Sequence, residues 1–165
     1  MPTPNDALDR IPAVLEELAR RMHNQKLLTR MAFRGEKGIQ SRTRKGVGVA
    51  GNPFEPYNPA YAAFRREETG LATHPVTLTF DDISGMMRRI DHEVASNLES
   101  VTIDITDAKK RRIGSYHDSQ GVGKRCAHIR HFWGLSDDDR KAIAEIAEDH
   151  LNAELADLCQ KHSTN

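Results

Sequence analysis

Little in this chain is apolar or aromatic. Of its 165 residues 38% are hydrophobic and 5% aromatic. One domain of this length therefore buries a modest core and leaves surface for a partner. There are two cysteines, Cys126 and Cys159, and neither stands in a Cys-x-x-Cys pair, which excludes a disulfide framework. No apolar run nears the roughly 18 residues that span a bilayer. The polar start, Met-Pro-Thr-Pro-Asn-Asp, lacks the form of a signal peptide. We expect a soluble protein made in a reducing cytoplasm, without membrane contact. Net charge is missing too, since 24 basic residues offset 24 acidic ones. That removes any global attraction to nucleic acid.

The charge that is present is segregated. From Lys26 to Lys45 seven basic residues (Lys26, Arg30, Arg34, Lys37, Arg42, Arg44, Lys45) face one acid, Glu36. Lys109–Arg112 is a second basic run. From Ser136 to Leu158 eight acids stand against Arg140 and Lys141. Such a chain can assemble with copies of itself, basic face to acidic face. Solvated helix faces are the alternative for each run.

The periodicities predict an α+β fold. Residues 1–7 read as a polar arm, 8–160 as a single domain and 161–165 as a polar tail. A helix capped by Asp9 runs to about His23, with Ile11, Leu15, Leu18, Ala19 and Met22 at helical spacing. Pro12 then falls in its first turn, where proline is tolerated. A second helix spans about 25–45. Gly35 and Gly38 weaken it by about 1 kcal/mol each against alanine, while letting another backbone come close. Gly46 to Phe54 is a loop without the Gly-Lys-Ser/Thr of a phosphate cradle. Asn58-Pro59 opens a short helix over 60–68. Val76–Phe80 alternates like a short strand, and Asp81–Gly85 turns. Residues 86–106 read as a β-hairpin with one buried face, with a helix competing over 86–94. Residues 109–120 look helical and stop at Gly121. Ser136 caps a last helix whose first turn carries Asp137, Asp138 and Asp139. The predicted class is N-terminal helices and a long C-terminal helix on a small, largely antiparallel sheet.

The residues that carry chemistry admit several readings. His117, Cys126, His128 and His131 are metal-ligand types, and Asp118 offers an orienting carboxylate. The Cys-x-His-x-x-His spacing does not match a closed structural zinc site. Ser115, Ser119 or Cys126 with His117 would be a nucleophile pair, but no Gly-x-Ser-x-Gly elbow is present. Segment 26–45 offers phosphate contact by charge alone. It has one aromatic, Phe33, and no base-reading motif; subunit contact or bare surface are its alternatives. Phe132 and Trp133 are either core at the entry to the last helix or anchors into a neighbouring subunit.

Three blocks stand in a definite order. Ser84-Gly85-Met86-Met87-Arg88 precedes the hairpin. Tyr116-His117-Asp118-Ser119-Gln120-Gly121 ends the short helix after it. Arg130-His131-Phe132-Trp133-Gly134-Leu135-Ser136 opens the last helix. Upstream, Gly51-Asn52-Pro53-Phe54-Glu55-Pro56-Tyr57 leads into Tyr61-Ala62-Ala63-Phe64-Arg65. This order resembles the virion-morphogenesis, or tail-completion, family of tailed phages over most of residues 10–158. The chain departs from it at Cys126-Ala127-His128, where that family often has proline, and has one residue more between His117 and Gly121.

The resemblance implies a non-enzymatic structural protein of the head–tail junction, without cofactor or metal. Members are expected to form homo-oligomeric rings that let the tail join the DNA-filled head. Partners would be other neck and tail proteins (connector or stopper, tail terminator or tail tube), with passive DNA contact possible. Candidate subunit-interface residues are Arg30, Arg34, Arg42, Arg44, Arg130, Phe132 and Trp133. Gly85, His117, Gly121 and Gly134 are expected at structural turns. The competing expectation is a small metal-dependent or nucleic-acid-processing enzyme that uses His117, Cys126, His128 and His131.

Overall fold

Helix α2, Gln25–Arg44, is the element on which the rest is built. Asn24 caps it, its side chain accepting from the amides of Lys26 and Leu27. This satisfies two of the donors that a helix start leaves free. Leu27, Ala32, Ile39 and Thr43 are buried along it. The computed structural model describes residues 4–78, 85–122 and 128–163, with the backbone alone for 4–10, 162 and 163.

Around α2 lie α1 (Pro4–Met22), α3 (Pro59–Glu67), strands β1 (Ile90–Val94) and β2 (Val101–Ile105), α4 (Ala108–Ser115) and α5 (Asp137–Ser163). The strands form a two-stranded antiparallel sheet with Ile90 opposite Ile105 and His92 opposite Ile103. The hairpin and α5 both pack on α2, and α1 packs on α5. The fold is α+β.

Two glycines make the close packing on α2 possible. A Cβ on Gly35 would lie 2.9 Å from Ile103 Cδ1 and 3.0 Å from Leu135 Cδ2. A Cβ on Gly38 would fall inside the Asp139 carboxylate. The core beside them holds Ile39, Phe54, Met86, Ile90, Ile105 and Phe132. No helix among the described residues is long and apolar enough to cross a membrane.

Several boundaries differ from the sequence reading. α1 starts at Pro4, so residues 4–7 belong to a helix rather than an arm, Asp9 is not its cap, and Pro12 lies inside it. Proline there removes one amide from the ladder, and the helix continues past it. α5 runs on to Ser163, into the expected tail. Val76–Leu78 are not a strand. Phe80, the Asp81–Ser84 part of the expected turn and Cys126 lie outside the described residues. Residues 86–89 form a 3-10 turn, not the start of β1. Met86 and Met87 are both buried, which adjacent residues on a one-face strand cannot be. The helix expected over 109–120 divides into α4 and a π turn, Tyr116–Gln120, ending at Gly121 with φ +82°.

Candidate functional site

The segment 130–136 is an extended strip held along its whole length by groups from elsewhere in the chain. The Arg130 amide donates to the His117 carbonyl at 2.7 Å, and the Val49 amide donates to the His131 carbonyl at 2.7 Å. Asp118 Oδ1 accepts from the amides of Phe132 at 3.0 Å and Trp133 at 2.9 Å. Arg42 Nη2 donates to the carbonyls of Phe132 at 3.2 Å and Gly134 at 2.8 Å. Backbone of His117 and Val49, with the side chains of Asp118 and Arg42, thus supplies the partners that a neighbouring strand otherwise gives.

At the end of the strip α5 begins. Ser136 Oγ accepts from the Asp139 amide at 3.2 Å and donates to Asp139 Oδ2 at 2.7 Å. The Ser136 amide also donates to that oxygen, at 3.1 Å. This reciprocal arrangement is a capping box with aspartate in the third helical position. Asp139 Oδ2 also pairs with Arg42 Nη1, and Arg34 Nη1 lies 3.6 Å from Oδ1. Asp139 is buried. Burial raises its pKa, but the Ser136 hydroxyl and amide and the Arg42 guanidinium outweigh that and hold it below the ordinary value. The positive face of α2 therefore meets an acid of the last helix within one chain. Arg21 of α1 does likewise with Glu154 and Asp157 of α5, each at 2.7 Å.

Beside the strip lies a cluster of cations. Arg130 is 4% exposed, and the Tyr57 ring centroid is 5.7 Å from its Cζ. Among the described residues Arg130 makes no ion pair, and its buried Nε has no partner. Arg65, also buried, approaches the same ring at 5.2 Å and donates to the Ala72 carbonyl and Thr77 Oγ1. Cation–π attraction to a desolvated ring offsets part of the cost of burying both guanidinium groups. His117 Nδ1 is buried without a partner. Burial, and secondarily the Arg130 charge, push its pKa down to about 4.

This sets a pH dependence. His117 is neutral in the folded protein and titrates near pH 6.5 when unfolded. Between those values the unfolded state binds more protons. Stability is therefore complete above about pH 6.5 and falls as pH drops toward about 4, by up to about 3 kcal/mol. We expect His117→Gln to flatten that part of the profile in denaturant titrations. An unchanged slope would show that His117 is not the group responsible.

The sequence candidates separate cleanly in space. Phe132 is completely buried in this chain's own core, and Arg42 and Arg130 point into the fold, so none of the three is available to a neighbouring subunit. Arg30 and Arg44 are exposed on α2, and Arg34 is half-buried. Trp133 is half-buried, stacked edge-on against Phe132 with ring centroids 5.9 Å apart. It lines a half-open cleft of about 190 Å³ with Arg111, Gly114 and Asp118. Gly85 and Gly121 are buried, and Gly134 has φ +114°, each at a turn.

His128 pairs with Glu55 at 2.9 Å, while His131 is exposed. Among the described residues, one group of His, Cys, Asp and Glu brings three ligand atoms within 4.8 Å of one another, and it is Glu36, Asp91 and His92. Among the described residues, His117, His128 and His131 belong to no such group. Asp139, expected only as one of three acids in the first turn, caps α5 with Ser136, and the Ser136-x-x-Asp139 spacing is a usable sequence signal for it. The roles of Tyr57, Arg65 and Glu36 arise from contacts distant along the chain. Comparison with protein-family models, with curated proteins and with solved structures finds no match for this chain.

Proposed function

We propose that this chain is a structural protein of a tailed-phage virion, placed at the head–tail junction as a neck or tail-completion ring that lets the tail join the DNA-filled head. The observation that supports this best is the convergence of the ordered blocks. Met86 after the Gly85 turn, the π turn carrying His117 and Asp118, and the Arg130–Ser136 strip all meet around Phe132. Asp118 and Ser136 within them hold backbone amides in place, as a scaffold requires.

Ring contacts then fall to surface that the fold leaves uncovered. Ile11 and Leu15 on α1, Phe33 on α2, Phe64 on α3 and Ile129 are large apolar side chains left exposed. Arg30 and Arg44 lie on the exposed side of α2. Apolar contact among polar surroundings is the usual composition of a subunit interface. Antibody against the chain should label the head–tail junction of purified, DNA-filled particles. The isolated protein should have a native mass that is a multiple of the chain mass. Absence from the particles overturns the assignment.

A further inference from the structure

The geometry points to a divalent metal site, of the kind zinc occupies, at the corner where β1 lies on α2, with Glu36 Oε2, Asp91 Oδ1 and His92 Nδ1 as ligands. His92 is half-buried and turned toward α2; Glu36, on α2, is 8% exposed. His92 Nδ1 lies 3.3 Å from Glu36 Oε2 and 3.8 Å from Asp91 Oδ1. Tetrahedral zinc with bonds of 2.0–2.1 Å sets its ligand atoms about 3.3–3.4 Å apart. One edge of the ligand triangle thus has the required length, and a second exceeds it by about 0.4–0.5 Å. The third closes by a rotation of Asp91, whose side chain is exposed.

Hydrogen bonds support both carboxylates, Glu36 more firmly than the exposed Asp91. Buried Gln40 donates to Glu36 Oε1 at 2.8 Å, which leaves Oε2 toward the imidazole. The His92 amide donates to Asp91 Oδ1 at 2.8 Å and draws that oxygen back beside Nδ1. Such supporting hydrogen bonds are what hold ligands at metal centres. Two carboxylate oxygens and an imidazole nitrogen converge within 4.8 Å of one another. Lys37 Nζ lies 3.6 Å from the other Glu36 oxygen, Oε1, on a half-exposed side chain. A divalent ion matches both carboxylates and takes neutral imidazole as third ligand, leaving a fourth position for water. Three protein ligands from two elements would clamp the hairpin to α2.

The test is zinc titration of the full chain after chelator treatment, by calorimetry and thermal unfolding. One equivalent of Zn²⁺ should bind and raise the melting temperature. Asp91→Asn should weaken binding tenfold or more, and His92→Gln should abolish it. His128→Gln and His131→Gln should leave it intact. The exposed position of Asp91 keeps the test usable if His92→Gln does not fold. No uptake of zinc overturns the site. So does uptake that Asp91→Asn leaves unchanged, or uptake that the His128 or His131 variant removes.

Discussion

Phe132→Ala is expected to lower the free energy of unfolding by about 3–5 kcal/mol, as large-to-small changes at fully buried aromatic positions do. Phe132 has no exposed surface and sits among Met86, Ile105 and Trp133. The space it leaves cannot close easily, because Asp118 and Arg42 pin the backbone on either side of it. Gly114 on α4 approaches the same place, where a Cβ would lie 2.9 Å from Ile105 Cδ1 and 3.0 Å from Met86 Sδ. Trp133→Ala should cost less, since the indole is half-buried, and His131→Gln should stay within about 0.5 kcal/mol, as exposed substitutions do. Urea unfolding of the three variants measures this order. A loss under about 1 kcal/mol for Phe132→Ala would contradict the packing described here.

Asp139→Ala should cost a comparable amount, about 3–5 kcal/mol, because it leaves the Arg42 guanidinium buried without its counter-charge and removes the cap of α5. Gly38→Ala tests the same place from the other helix. Alanine improves helix propensity by about 1 kcal/mol. That gain is outweighed, because the new methyl group must displace a carboxylate held by Ser136 and Arg42. Acid adds a third view. The Asp139 pKa is lowered on folding. Its contribution is therefore fully present above the unfolded value near 3.9 and lost as pH falls through the folded one. Asp139→Asn should start less stable and lose less below about pH 4. A Gly38→Ala protein as stable as the parent, or an Asp139→Asn protein with the parent's acid profile, would refute the arrangement.

How much of this was legible in the sequence depended on range. Helices α3 and α5 follow from local signals, namely the Asn58-Pro59 start and the Ser136 cap ahead of three acids. The hairpin follows from alternation in Val101–Ile105. Adjacent burial of Met86 and Met87 did not, because alternation alone cannot distinguish a strand from a 3-10 turn that turns both inward. Pro12 misled for a similar reason. Its usual place is a first turn, yet α1 continues through it. Segregated charge pointed to basic α2 meeting acids of another copy, whereas Arg42 and Arg34 meet Asp139 of the same chain. The pairing occurs inside one chain, which composition cannot distinguish from pairing between copies. Glu36, Asp91 and His92 gave no sequence signal, because their meeting depends on β1 lying across α2.

The bond between Arg42 and Asp139 spans 97 positions of the chain, and that separation shapes how such a protein can vary by descent. Either residue changed alone strands a charge in the interior. Both changed together to apolar residues of similar volume form an exchange that folds generally accept. Gly38 extends the dependence, since a larger residue there becomes acceptable only once the carboxylate has gone. Arg42 also holds the carbonyls of Phe132 and Gly134, so its replacement further requires a new donor for that strip. Positions far apart in the gene are thereby bound into one epistatic unit, crossed by coordinated changes and closed to single steps.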